Sequence, residues 1–164
     1  MQLFKILISL GLVANAVAEN KIKIMLLGDS ITELTCWRAM VWDVLVQEDL
    51  RYDVLFVGSK TSNARNCRAR SGTFDLHHEG HHGILSINVA NHYLEGWLAS
   101  SKPDIVQIML GTKDVSLGRP TSDIIDSYTE IIDLIRASNP RAKILVCDHF
   151  GNSRVFREII DDVA

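Results

Sequence analysis

The chain has 164 residues, of which 47% are hydrophobic and 23% charged, and its formal net charge at pH 7 is −3. This length and composition are enough for one domain with a full-sized hydrophobic core. The negative balance and the lack of a dense run of Lys and Arg exclude the basic surface that nucleic-acid binding requires.

Residues 1–18 have the pattern of a secretory leader. Lys5 supplies a positive charge, Ile6 to Val13 form a short apolar core, and Ala16-Val17-Ala18 is a small-residue cleavage site. The apolar run is too short to span a bilayer. We therefore predict a secreted protein with no membrane anchor, whose mature domain is residues 19–164; the alternative is a buried first strand or helix.

An apolar run of strand length follows the leader and ends at Gly28-Asp29-Ser30, and a helical pattern begins at Trp37. The sequence predicts a strand, a tight turn and a helix, with Ser30 on the turn. Ligands of open α/β sheets bind at the carboxyl ends of the strands. A hydroxyl there, next to a helix N-terminus, is well placed for nucleophilic attack, although Gly-Asp-Ser also occurs in ordinary turns.

The rest of the chain alternates between strand and helix patterns. The first predicted elements are a helix Trp37–Gln47 with Met40, Val41, Val44 and Leu45 on one face, a strand Arg51–Val57, a polar loop over residues 59–83, a helix Ile84–Ser100 and a strand Asp104–Leu110. A helix capped by Thr121 or Ser122 then runs to about Ala137, with Ile124, Ile125, Tyr128, Ile131, Ile132 and Ile135 inward. A strand Ala142–Cys147 and a short helix Ser153–Val163 follow. This alternation predicts one α/β domain with a parallel sheet of right-handed βαβ units.

Secretion makes the three cysteines relevant, because disulfides persist in oxidising compartments. Cys36 opens the first predicted helix and Cys67 lies in the polar loop. We predict a disulfide between them. Cys147 ends an apolar strand and is predicted to remain a buried thiol.

Three motifs fall on the rim where ligands of such sheets bind. They are Gly28-Asp29-Ser30-Ile31-Thr32-Glu33, Glu79-Gly80-His81-His82-Gly83 and Gly111-Thr112-Lys113-Asp114. Together they resemble the first three blocks of the GDSL/SGNH hydrolases. The flanking segments resemble the secreted branch that includes acetylxylan esterases: Leu34-Thr35-Cys36-Trp37-Arg38, Phe56-Val57-Gly58, Phe74-Asp75-Leu76-His77-His78 and Gly96-Trp97-Leu98. The similarity extends from about Ile22 to Val146.

This resemblance implies a flavodoxin-like three-layer α/β/α sandwich with a parallel sheet. It implies an esterase, without metal or organic cofactor, that acts on acetyl groups of a polysaccharide such as acetylxylan. Ser30 would be the nucleophile, and the backbone N–H groups of Ser30 and Gly83 would stabilise the oxyanion, with Gly80 as the alternative to Gly83. Asp29 and Asp114 would support these groups.

The sequence departs from the family pattern at two places. Lys113 stands where the family has an oxyanion-binding Asn, and losing one such donor typically costs about 10²–10³ in turnover. The Asp-x-x-His block that supplies the base is absent after the fourth predicted strand, as is the family's fifth strand. Because loss of a triad base costs about 10⁶-fold in subtilisin, we expect little or no ordinary esterase turnover.

Two other histidines could replace the missing base. His149, beside Asp148, follows the fourth predicted strand on the catalytic rim, although a solvated loop histidine is the alternative. Asp75 and His78 match the Asp-x-x-His spacing but precede Gly83, which reverses the family order.

Three alternatives to an active esterase come from the same residues. His78-Glu79-Gly80-His81-His82 also spells the His-Glu-x-x-His zinc signature, although glycines disfavour the helix that it needs. A chain without a base could instead bind carbohydrate or be a truncated, non-enzymatic product. The tryptophans that might stack on sugar lie in amphipathic helices and are interpreted as core: Trp37, Trp42 and Trp97.

The missing fifth strand would leave the fourth predicted strand at the edge of the sheet. Ile144-Leu145-Val146 would then form an apolar edge, and such edges favour pairing with another chain. We therefore expect a dimer or aggregation through this strand.

Overall fold

The computed structural model describes residues 21–51 and 53–147. The predicted leader, Asp148, His149 and the predicted C-terminal helix lie outside the described residues. Among the helices that are described, none is both long and apolar enough to cross a membrane.

The described strands form one parallel sheet. They are β1 Ile22–Gly28, β2 Val54–Val57, β3 Glu79–Gly80, β4 Ile105–Met109 and β5 Lys143–Val146. The order is β2-β1-β4-β5, and β3 pairs with the last two residues of β1, beyond the end of β2. The predicted α/β architecture is confirmed. Strand β3 was missed because two residues within a Gly- and His-rich loop carry no alternation pattern.

The helices are more numerous than predicted. They are α1 Ser30–Leu34, α2 Trp37–Gln47, α3 Ser86–Asn88, a π-helical turn Val89–Tyr93, α4 Leu94–Ser101, α5 Thr112–Ser116 and α6 Thr121–Ser138. Helices α1 and α5 were not predicted, since five residues are too few to show a helical period. Neither Thr121 nor Ser122 caps α6, because Pro120 occupies the N-cap position and makes no side-chain capping bond.

The main core lies on one face of the sheet, beneath α4 and α6. Its sheet side includes Met25, Leu27, Val106 and Ile108, and its helix side includes Leu94, Leu98, Ile124, Tyr128, Ile131 and Ile135. All of these side chains are buried. The helical period of α6 is therefore confirmed, and burial of this face is the chief stabilising contribution of the helix.

The apolar face predicted for α2 is not the face that α2 buries most deeply, because Val41 and Leu45 are only half-buried. Met40 and Val44 expose 67% and 55% of their surface, and the buried residues of α2 are Arg38 and Ala39. This helix packs against the loop that follows β2, whose inner surface presents backbone carbonyls. The Arg38 guanidinium donates to the carbonyl oxygens of Ser62 and Leu76 at 2.9 and 3.0 Å, so a polar side chain determines the face.

The long loop after β2 is ordered by specific polar contacts. Cys67 forms the predicted disulfide with Cys36, and both its N–H and its carbonyl oxygen bond to the Asn63 side chain. Asp43 of α2 accepts from the N–H groups of Arg70 and Ser71. Cys147 is a free, half-buried thiol.

Replacing both Cys36 and Cys67 by Ser is expected to reduce the free energy of unfolding. The bridge joins residues 31 positions apart, and a loop of that length corresponds to about 3–4 kcal/mol in the chain-entropy account. Urea unfolding of the oxidised proteins measures the difference. Cys147→Ser, which leaves the bridge intact, is the control; equal losses in the two variants would contradict the prediction.

Strand β5 lies at one end of the described sheet. Leu145 exposes 54% of its surface there, and β4 is the strand that it pairs with among the described residues. Pairing of two chains along β5 stays a prediction, which the molar mass in solution would test.

Candidate active site

Ser30 lies where β1 turns directly into α1. Asp29 is the N-cap of this helix, and its Oδ1 accepts the N–H of Ile31 at 2.9 Å. Ser30 is the first helical residue and is half-buried. Its N–H therefore has no acceptor within the helix. The structure thus places a hydroxyl at the carboxyl end of a central strand, together with a backbone N–H that has no acceptor among the described residues.

Close packing around this turn depends on two glycines. A Cβ atom on Gly28 would lie 2.0 Å from Thr32 Oγ1 and 2.7 Å from the carbonyl oxygen of Met109. A Cβ atom on Gly80 would lie 2.7 Å from the backbone nitrogen of Glu33. Because Gly28 and Gly80 have no side chain, the backbones of β1 and β3 can approach α1 closely.

The segment after β3 is attached to both β1 and α1. Gly28 and Gly80 are partners in the strand register, and the N–H of His81 donates to the carbonyl oxygen of Gly28 at 2.9 Å. The N–H of His82 donates to Glu33 Oε2 at 2.6 Å. These bonds hold the following residue, Gly83, beside the helix that carries Ser30.

The two oxyanion alternatives differ in whether their amide is occupied. The N–H of Gly80 already donates to Nδ1 of His78 at 3.0 Å. Gly83 is exposed, has a φ of 77°, and its N–H donates to no acceptor within residues 21–51 and 53–147. The geometry favours Gly83 as the donor, and its role stays a prediction.

Glu33, for which the sequence predicted no separate role, connects the segments around this turn by hydrogen bonds. Burial alone would raise its pKa, but hydrogen bonds from Lys60, the N–H of His82 and Ser62 hold the pKa below its ordinary value. Lys60 Nζ lies 2.5 Å from Glu33 Oε1. The ionised carboxylate therefore joins α1, the loop after β2 and the segment that carries Gly83.

His78 is a buried structural residue. Its Nδ1 accepts the N–H of Gly80, and its Nε2 lies 3.1 Å from Oγ and 3.2 Å from the carbonyl oxygen of Ser62. Because Nδ1 accepts, the neutral ring carries its proton on Nε2. Burial, reinforced by the charge of Arg38, lowers its pKa to about 4.

Asp75 does not pair with His78. Its carboxylate accepts from the N–H of Phe56 and contacts His77 Nδ1 at 2.7 Å. The alternative in which Asp75 and His78 act as an acid–base pair is therefore wrong, because each side chain is bound to other partners.

The buried imidazole of His78 predicts a loss of stability on acidification. Its pKa is about 4 in the folded protein against 6.5 ordinarily, so the unfolded chain binds more protons between these pH values. The free energy of unfolding should fall by about 3 kcal/mol as the pH drops through this window. His78→Asn keeps an acceptor for Gly80 without titrating, and urea unfolding at several pH values should show a flatter dependence. An identical pH dependence in the two proteins would contradict the prediction.

The zinc-protease hypothesis is wrong. The motif runs through β3 and into the turn that follows it, not along a helix. Glu79 is buried, accepts from the N–H and Oγ of Ser59 at 2.7 and 2.5 Å, and lies 2.6 Å from His81 Nε2. Among the described residues, no three His, Cys, Asp or Glu side chains are grouped to hold a metal ion.

The third motif fixes the start of α3. Asp114 is buried and accepts from the N–H of Ser86 at 3.0 Å and from its Oγ at 2.9 Å. Ser127 of α6 donates to the same Ser86 oxygen at 2.7 Å. Because Ser86 follows Gly83 by three residues, this network orders the other end of the candidate oxyanion segment. Asp114 is thus connected to this segment through Ser86, and its supporting role in the site stays a prediction.

The three motifs meet at one edge of the sheet. Ser30 follows β1, Gly83 follows β3 and Lys113 follows β4, and β1 pairs with both of the other strands. Lys113 is half-buried, and its ammonium group makes no hydrogen bond or ion pair within the described part of the chain. His149, the predicted substitute base, lies outside the described residues.

The chain matches one protein-family model and is similar to several solved structures. The model of the GDSL-like lipase/acylhydrolase family matches residues 26–162. A crystal structure of an acetyl esterase mutant with an acetate ion is 40% identical, with a TM-score of 0.75, over 87% of this chain and 70% of that one. A carbohydrate esterase of family 3 from Talaromyces cellulolyticus is 42% identical, with a TM-score of 0.75, over 85% of this chain and 69% of that one.

A more distant structure has the same fold. The family 3 carbohydrate esterase of Clostridium thermocellum is 27% identical, with a TM-score of 0.68, over 86% of this chain and 68% of that one. No curated protein matches the chain.

Proposed function

Because the chain belongs to the GDSL-like lipase/acylhydrolase family, we propose that it is a serine esterase whose nucleophile is Ser30 and whose substrate is an acetyl ester. The observation that carries this proposal is the position of Ser30 beside the segment that holds Gly83, whose N–H has no acceptor in the part of the chain that the structure describes. An ester carbonyl that enters between them meets a hydroxyl and two backbone donors.

The reaction follows the chemistry of serine nucleophiles. Oγ of Ser30 attacks the carbonyl carbon while a base removes its proton, and the N–H groups of Ser30 and Gly83 stabilise the negative oxygen. Collapse of this intermediate expels the alcohol and leaves an acetylated Ser30. Water then attacks the acyl group, which releases acetate and restores the hydroxyl.

Lys113 supplies a different third donor from the family's Asn. An ammonium group brings a full positive charge toward the oxyanion, but it sits on a longer and more mobile side chain and is more strongly hydrated. We propose that Lys113 stabilises the oxyanion less effectively than an amide held at a fixed distance.

The base is proposed to be His149. Residues 148–164 contain no Asp-x-x-His, and His149 with Asp148 follows β5 directly. The carboxyl end of β5 is at the same edge of the sheet as the ends of β1 and β4, because all three strands are parallel. Loss of the histidine from a serine triad costs about 10⁶-fold in subtilisin, so replacing His149 should lower turnover strongly.

The substrate is proposed to be an acetylated polysaccharide such as acetylxylan, and the protein is proposed to be secreted. The carbohydrate and acetyl esterases that the chain resembles support the substrate class. The leader-like pattern of residues 1–18 and the Cys36–Cys67 disulfide support secretion.

The proposal is tested by acetate release from acetylated xylan and by labelling with a fluorophosphonate. Acetate above the blank and a label on the peptide that contains Ser30 are expected, and His149→Ala should lower the rate of acetate release. A label with an unchanged rate in His149→Ala would remove His149 as the base. Binding to xylan without any acetate release would favour a carbohydrate-binding protein instead.

A further inference from the structure

A cavity opens beside the candidate oxyanion segment, and among the residues used in the chemistry above only Gly83 lines it. Its volume is about 450 Å³, and its walls come from the segment after β3 and from the helical region that follows: His81, His82, Gly83, Ile84, Asn88, Tyr93 and Trp97. This volume far exceeds what an acetyl group needs and falls in the range of small-molecule sites. The space therefore suits the part of an ester that carries the acetyl group.

One wall of the cavity is a group of stacked rings. The Trp97 indole is nearly parallel to the His81 imidazole, at 4° with centroids 4.5 Å apart, and to the Tyr93 ring, at 13° and 5.5 Å. Tyr93 remains 47% exposed. The interpretation of Trp97 as an ordinary core residue was thus incomplete, because the residue is half-buried and also supports an exposed aromatic surface.

The π-helical turn Val89–Tyr93 brings Tyr93 to this wall. In a regular α-helix, two residues five positions apart point about 140° away from each other. Here Asn88 and Tyr93 are five apart and both line the cavity. Single π-helical turns are often found at functional sites, and this one places an amide and an aromatic ring on the same cavity.

The His81 ring on this cavity is held in a fixed orientation. Nε2 of His81 lies 2.6 Å from the buried carboxylate of Glu79, and the face of the ring rests on Trp97. Nδ1 of His81 and the side-chain amide of Asn88 form no hydrogen bond with any residue in the described ranges. The cavity therefore combines a flat apolar ring with uncommitted hydrogen-bonding groups.

We propose that this cavity binds the sugar ring to which the acetyl ester is attached, with Tyr93 as the platform for its apolar C–H face. A pyranose ring has such a face and carries hydroxyl groups around its edge, which Asn88 and His81 can bond. The cavity adjoins Gly83, so a sugar bound here places its acetyl carbonyl at the candidate oxyanion donors. The inference rests on the proposed esterase function for the identity of the group attached to the sugar.

Binding is best measured in a protein that cannot turn over its ligand. Calorimetric titration of Ser30→Ala with acetylated xylotriose should give a measurable dissociation constant. Adding Tyr93→Ala is expected to weaken binding by about ten-fold or more, as for truncation of an aromatic anchor. Tyr93→Phe keeps the ring and should bind nearly as the parent. Leu117→Ala removes an exposed side chain that is not on the cavity and should have no effect.

The outcomes separate this inference from the proposed function. Equal affinity of the parent and the Tyr93→Ala protein, or no binding by the parent, overturns the sugar site. Asn88→Ala serves as a second variant and should also weaken binding. Tyr93-dependent binding together with no Ser30-dependent hydrolysis would leave the sugar site standing and overturn the esterase. If hydrolysis requires Ser30 but binding is unchanged by both Tyr93→Ala and Asn88→Ala, the esterase proposal stands and the sugar site is overturned.

Discussion

Replacing Ser30 by Ala is expected to lower kcat/KM for an aryl acetate by about 10³-fold or more. The hydroxyl is the only group at the ends of β1, β3 and β4 for which we propose covalent attack. Without it, the remaining donors can stabilise only the direct attack of water, which is a much slower route. The measurement is initial-rate hydrolysis by the full chain, with KM determined for each protein.

The matched control for this experiment is Ser122→Ala. Ser122 is an exposed serine on α6 whose hydroxyl contacts the neighbouring Asp123, so its loss should leave the rate unchanged. Circular dichroism of both variants checks that the fold is retained. If Ser30→Ala hydrolyses the ester as fast as the unmodified protein, Ser30 is not the nucleophile.

Replacing Arg38 by Ala is expected to reduce the free energy of unfolding by about 3–5 kcal/mol. Arg38 is 1% exposed and donates to three backbone carbonyl oxygens, those of Glu33, Ser62 and Leu76. Burial lowers its pKa, and the nearby charge of Glu33 opposes that shift. Removing the guanidinium leaves these acceptors unpaired in a buried region and opens a cavity.

Two further variants separate the causes. Arg38→Met retains most of the side-chain volume but removes the donors. The difference in the free energy of unfolding between Arg38→Met and Arg38→Ala therefore measures the contribution of packing. Arg119 is exposed, and Arg119→Ala should change stability by no more than about 0.5 kcal/mol. Chemical denaturation provides all the values. A loss below about 1 kcal/mol in Arg38→Ala would show that water replaces the three hydrogen bonds at little cost.

Arg38 also illustrates where sequence patterns mislead. The apolar residues of α2 suggest a buried stripe, yet Met40 and Val44 face solvent while Arg38 and Ala39 are buried. A helix normally buries its apolar face because its neighbour is apolar. The neighbour of α2 is the loop after β2, which offers backbone carbonyl oxygens to Arg38 and a small apolar cluster to Ala39 and Trp42. The Cys36–Cys67 disulfide links this loop to the start of α2.

The amino-acid sequence by itself determined the alternating sheet, the buried period of α6, the disulfide and the motif around Ser30. Apart from the disulfide, which joins residues 31 positions apart, each of these depends on local spacing, because strands, helices and turns impose their periods on neighbouring residues. The β1 strand and its Gly-Asp-Ser turn could be recognised for the same reason.

Only the tertiary structure decided which groups are free to act. The sequence alone does not distinguish Gly80 from Gly83 as the oxyanion donor. In the structure, the N–H of Gly80 donates to His78, whereas the N–H of Gly83 has no acceptor in the described ranges. Glu33 likewise acquires its role from partners far along the chain, Lys60 and His82. Hydrogen bonding between distant segments leaves no local period, so it becomes visible only when the chain is folded.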